Sequence, residues 1–227
     1  MMRVQRLSVM MCIVVMLGMG GVACAQEASA LVLERSGIIV PDLQPYSEIF
    51  VGTTVSLSPG ARLVFLHYGT CQTVTTAGGT ITFGADAYDL RGGTKEADAR
   101  GQCPRRVTLK GKGELAGTMM RGIGPPGIDP KSAFTLSTKP SFVLTGTRAA
   151  DFSEVRVSKE GKEVLQAPLD GRRFRWPGRA APLAPDSEYE LVLVPLTAGT
   201  DPMEIKFRAT APPARPAGEA LTLIHLK

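Results

Sequence analysis

The stretch HYGTCQTVTTAGGTITF, residues 67–83, carries the pattern on which the fold turns. Thr73, Val74, Thr75 and Thr76, then Thr80, Ile81, Thr82 and Phe83, are β-branched or aromatic, the residue types that suit a pleated, half-buried strand. Between them lie Gly78 and Gly79. Glycine adopts positive φ without steric cost, so QTVTT (72–76) and TITF (80–83) are expected to pair as a hairpin about that dipeptide. The same stretch sets Cys71 four residues after His67, one of two histidines in the chain. A thiol beside an imidazole can be a nucleophile with its base, and a thiol with a second cysteine can be a staple.

Working outward, similar runs recur. LVL (31–33), GIIV (37–40), TVSL (54–57), RLVFLHY (62–68) and RVTL (106–109) read as strands, with Ser58-Pro59-Gly60 as a turn. No stretch of a dozen residues holds a 3.6-residue apolar period, so helices are not expected. Residues 84–102 read as a polar loop. GTMMRGIGPPGIDPK (117–131) is dense in glycine and proline, which suits a linker at 116–132. A second β series follows: SFVLTG (141–146), EVRVSKEGKEVLQAP (154–168), RRFRWPG (172–178), EYELVLVP (188–195), EIKFRAT (204–210) and ALTLIHL (220–226), with the proline-rich spacer APPARPAG at 211–218. The expectation is an all-β protein. A small antiparallel meander or roll over 30–115 joins an immunoglobulin-like sandwich over 133–227.

The first residues, MMRVQRLSVMMCIVVMLGMGGVACAQ, have a charged start, an apolar run from Leu7 to Leu17 and a small-residue exit. That is the plan of a secretory signal peptide, 1–25, cut after Ala23-Cys24-Ala25. The run is shorter than the roughly 20 residues of a spanning helix. No integral membrane segment is therefore expected after cleavage, and the location is periplasmic or secreted. Acylation at Cys24 is the alternative, giving an anchored lipoprotein. Loss of Arg3 and Arg6 takes the formal charge from +5 to +3, a mild excess that demands no nucleic acid.

Export leaves Cys71 and Cys103 as the remaining thiols. Two cysteines in an oxidising compartment most often pair, and this bridge would close a loop of about 32 residues, worth ~3–4 kcal/mol by chain entropy. A Cys71-dependent enzyme is the less favoured reading, since a nucleophile needs a base and usually an orienting third group.

Two resemblances follow from these residues. Gly37-Ile38-Ile39-Val40, Gly52 ahead of Val55-Ser56-Leu57, Pro59 to Phe65 and Gly78-Gly79-Thr80-Ile81 make 31–83 similar to a FecR-type domain. That resemblance implies a bacterial envelope protein. Regulation of a sigma factor does not carry over, because only a handful of residues precede the apolar run. Leu183 to Leu191, LAPDSEYEL, resembles the tyrosine corner of fibronectin type III domains, with Tyr189 as its structural hydroxyl. It implies architecture only.

Nothing selects a catalytic constellation, so the protein is read as non-enzymatic. With His67 and His225 the sole imidazoles and no close cysteine spacing, no zinc site is indicated. Asp86, Asp89, Glu96 and Asp98 lack a calcium-loop pattern. No cofactor is implied. Arg172, Arg173 and Arg175 alternate with Phe174 and Trp176, which fits an aromatic-in, arginine-out strand. Those arginines are candidate contacts for an anionic glycan or lipid. The expected role is a binding, scaffold or sensory module whose partner is another envelope protein, or else envelope attachment through the basic faces.

Overall fold

The computed structural model describes residues 27–110, 114–115, 134–211 and 221–227. The expected signal peptide, Cys24, the 116–132 linker and nearly all of the proline-rich spacer lie outside them. Among the described residues the chain is β throughout. Its sole helical element is a 3-10 turn at Ala149–Asp151, and no helix is long and apolar enough to cross a membrane.

The first unit is a seven-stranded antiparallel sheet curled around one core. Its strands are β1 (Ala28–Ser36), β2 (Ile39–Val40), β3 (Glu48–Phe50), β4 (Thr54–His67), β5 (Gln72–Phe83), β6 (Tyr88–Arg91) and β7 (Thr94–Arg100). The hairpin expected at Gly78-Gly79 is not there. β5 runs straight through both glycines, as β4 runs through Ser58-Pro59-Gly60. The two interruptions lie opposite each other: Leu57 pairs Gly79, Arg62 pairs Ala77, and the register shifts between. With φ of 81° at Gly60 and 61° and 81° at Gly78 and Gly79, the glycines bend a long two-stranded ribbon instead of reversing it. The bend is tight enough that a Cβ on Gly93 would sit 2.2 Å from the Gly78 carbonyl oxygen. Gly92-Gly93 turns β6 into β7, so 84–102 holds two strands where a loop was expected. Val55, Leu57, Leu63 and Phe65 of β4 alternate into the core with Val74, Ile81 and Phe83 of β5. Phe65 meets Phe83 and Tyr88 edge-on, with centroids at 5.0 and 5.2 Å.

The second unit is a sandwich of two five-stranded sheets. One runs β10 (Thr135–Ser137), β16 (Met203–Thr210), β15 (Glu188–Pro195), β12 (Phe152–Lys159), β13 (Lys162–Pro168). The other runs β14 (Arg173–Arg175), β11 (Ser141–Gly146), β17 (Thr222–Leu226), β8 (Arg105–Lys110), β9 (Glu114–Leu115). Strict alternation on β16, with Met203, Ile205, Phe207 and Ala209 buried, faces Phe142, Leu144, Phe174, Ile224 and Leu226 across the core.

The segment RVTL departs from its expected place. It lies in β8, paired parallel with β17 from Arg105↔Thr222 to Leu109↔Leu226, and Val107 and Leu109 enter the sandwich core. Strands β8 and β9 therefore extend a sheet of the second unit, upstream of the boundary expected at 116–132. Alternation in a four-residue run shows that one face is buried but not which sheet buries it.

β11 pairs β17 in parallel as well. This sheet is buried on both faces, which is why Phe142-Val143-Leu144 and Leu223-Ile224 read as unbroken apolar runs. Its inner rows fill the sandwich. On the outer face Val143 and Leu223 meet Leu31 and Leu66 of the curled sheet, with Leu33, Tyr46, Tyr68 and Leu221 packed around them. The molecule is thus three β layers deep, and the seam between its units is an apolar contact.

Candidate functional site

Alternation also decides what else reaches the seam. On β8, Val107 and Leu109 turn inward and Arg106 turns out. On β17, Ile224 and Leu226 turn in and His225 turns out beside Leu223. On β11, Thr145 lies across from His225. From the curled sheet, β3 brings Glu48 and the end of β4 brings Tyr68. Arg106 Nη2 donates to Glu48 Oε1 at 2.5 Å, and its guanidinium lies 4.8 Å from the Tyr68 ring centroid. Tyr68 donates its hydroxyl to the same oxygen at 3.3 Å. His225 Nδ1 lies 3.4 Å from Glu48 Oε2 and 3.1 Å from Thr145 Oγ1. The Glu48 side chain is only 5% exposed, so its charge is held where water cannot screen it well.

Burial alone would raise the Glu48 carboxyl. The His225 hydrogen bond and the Arg106 charge outweigh it, and the group is held below its ordinary value. For Tyr68, burial first and the Glu48 charge second push the hydroxyl well above the usual phenol range. The cluster therefore stands as carboxylate, guanidinium and neutral phenol. It is a charged lock between the units.

Beside the lock, Ser47, Phe50, Gly146, Thr147, Arg172 and Lys227 join Glu48 and His225 around an open cleft of about 570 Å³, within the ~300–1,000 Å³ typical of small-molecule sites. Arg172 and Lys227 have no ion-pair partner among the described residues. A second cleft, of about 530 Å³, opens on the seam where Leu33, Leu66, Val143 and Leu221 meet Arg100 and Arg173.

No family model matches the chain, and no curated protein matches it in sequence. Its chemistry therefore rests on the placement of its own residues.

Cys71 and Cys103 are bonded, with Cα atoms 4.7 Å apart. The bridge ties the β4–β5 turn to the segment entering β8. Cys71 itself occupies the left-handed region, at φ 56°. His67 is fully buried, with one nitrogen on that turn and the other on the segment after β5. Nδ1 accepts the Thr70 N–H at 3.2 Å, which leaves Nε2 to donate to the Gly84 carbonyl at 3.3 Å. It is a turn residue rather than a base for Cys71.

The three candidate arginines do not form one face. Arg172 lines the first cleft. Arg173 is half-buried against Tyr46, 3.4 Å from its hydroxyl and 5.8 Å from its ring centroid, and Arg175 is exposed. Phe174 and Trp176 are buried. Tyr189 accepts the Ala184 N–H on its hydroxyl at 2.9 Å and stacks on Phe207. The acids of 84–102 are dispersed: Asp89 pairs Arg91, Glu96 pairs Arg62 and Asp98 pairs Lys95. Among the described residues no three His, Cys, Asp or Glu side chains gather as a metal site.

Glu48 and Tyr68 did not stand out in the sequence, and neither did the pairing of Arg106 with them. Arg106 and Glu48 are 58 residues apart, and no local pattern predicts that a seam will bring them together.

Proposed function

We propose that the chain is an exported bacterial envelope protein that works as a non-enzymatic binding, scaffold or sensory module, with a FecR-like unit held on an immunoglobulin-like sandwich. The observation that carries this reading is the seam. The Leu31–Leu66–Val143–Leu223 contact and the Glu48–Arg106 pair fix two β units in one orientation, with two open clefts along the seam. A fixed composite surface suits recognition, and neither Cys71 nor His67 is left available for chemistry. Fractionation of a bacterial host making the full chain tests it. The expected result is protein starting at Gln26 in the periplasmic fraction, alkylated only after reduction, and crosslinked there to an envelope protein. Cytoplasmic protein with an intact amino terminus would overturn the reading.

Arg172 and Lys227 beside the first cleft favour a second reading, attachment to an anionic envelope component. It predicts that retention on envelope fractions falls steeply with salt, whereas an apolar protein contact would be nearly salt-independent.

A further inference from the structure

We infer that the cleft lined by Glu48, Phe50, Thr147, Arg172 and Lys227 is a binding site for an acidic sugar unit. The inference deepens the envelope reading, which supplies only the place where such a sugar is met. Three features of the lining select the ligand.

The first is charge. The Glu48 carboxylate is already spent on Arg106, Tyr68 and His225, so it does not repel an incoming anion as a free acid would. Arg172 and Lys227 remain unpaired among the described residues, and a guanidinium is the best side chain for a planar carboxylate. The second is the apolar surface. Leu226 is fully buried, which leaves Phe50, 38% exposed, as the sole apolar side chain of the lining that offers an accessible ring. One ring suits the single C–H face of a pyranose. An acyl chain needs a continuous apolar wall, and that wall lies in the other cleft, along Leu33 and Leu221. The third is polar reach. Thr147 is exposed, and Ser47 donates its hydroxyl to the Gln44 carbonyl, which leaves its oxygen lone pairs free to accept a sugar hydroxyl. Gly146 lies between them, where β11 runs close against the backbone of β17. A Cβ there would sit 2.2 Å from the Leu226 carbonyl oxygen, at a φ of 89° that side chains avoid.

Titration calorimetry of the mature full chain with a galacturonic acid hexamer tests the assignment, with maltohexaose and sodium dodecanoate as separate arms. Saturable binding of the acidic hexamer, lost in the neutral one, is expected. Arg172→Gln and Phe50→Ser should each weaken it about tenfold, the loss of one charge-assisted or stacking contact. Arg172→Lys should recover part of that loss, and melting temperatures should hold, because neither side chain belongs to a core. Equal binding of the neutral hexamer, unchanged binding in both variants, or displacement by dodecanoate would overturn the assignment. So would silence at millimolar hexamer. The titration uses soluble sugar, so it can fail while the fractionation result stands, and the reverse.

Discussion

The curled sheet and the sandwich bury their strands by different means. The curled sheet folds two long strands over on themselves at paired glycine bends, and its edge strand β7 is exposed along its whole length. Its core is the smaller of the two, and a disulfide ties the turn beside it to the segment entering β8. Among the described residues no disulfide joins two strands of the sandwich. The sandwich gains its hold from a wider core and from a middle sheet covered on both faces, once by its partner sheet and once by the curled unit. A small core leans on a covalent tie, and a large one can lend its outer face to a neighbour.

That contrast can be broken at several points. The largest effect is expected at the disulfide, where Cys71→Ser or Cys103→Ser should each cost about 3–4 kcal/mol, because they remove the same link. Hydrogen exchange should then report loss of protection in β4, β5 and β7 before the sandwich. If Cys103→Ser leaves the melting temperature unchanged, the tie is not what holds the smaller core. Next comes Leu223→Ala, at about 3 kcal/mol for a fully buried leucine. Leu223 belongs to the sandwich but faces the curled sheet, so protection should fall on both sides of the seam. A change confined to the sandwich would mean that the units do not share that layer.

Glu48→Gln should cost about 2 kcal/mol by leaving Arg106 without its carboxylate. The pH dependence has a defined sign. Glu48 is held below its ordinary value of 4.5 in the folded state, so its contribution is complete above that value and is lost as pH falls through the lower, folded one. Chemical denaturation between pH 3 and 7 should therefore show a shallower acid decline in Glu48→Gln than in the parent. Parallel curves would remove Glu48 from the account of the lock. The smallest effect, about 1 kcal/mol, belongs to Tyr189→Phe, which leaves the Ala184 amide without its acceptor inside the sandwich. Its exchange pattern should leave the curled sheet untouched.

Much of this was legible in the residues. Thr73 to Thr76 and Thr80 to Phe83 marked strands, and alternation in EIKFRAT and EYELVLV marked the faces that are buried. The cysteine pairing followed from the two thiols that the expected export leaves. What the pattern could not decide was direction. Gly78-Gly79 has the same torsional freedom in a reversal and in a bend, and only the partner strand, itself interrupted at Ser58-Pro59-Gly60, selects the bend. RVTL announced a strand without saying whose. The charged lock was hidden for a related reason: Glu48, Tyr68, Arg106 and His225 come from four strands or strand ends across both units, and tertiary register alone brings them within reach.

The position of β17 has a consequence for how the molecule is made. It lies between β8 and β11 and bonds to both, yet it follows both in the chain by a long interval. Until it arrives, β8 has no inward neighbour and β11 shows an open edge, each a row of unpaired amides beside apolar side chains. The curled sheet can close as soon as its own residues exist, but the layer that joins it to the sandwich must wait for the latest strand. Assembly is therefore sequenced by topology, with the most exposed interval coming before β17 is in place. A chain cut before Leu221 should sediment as oligomers where the full chain does not.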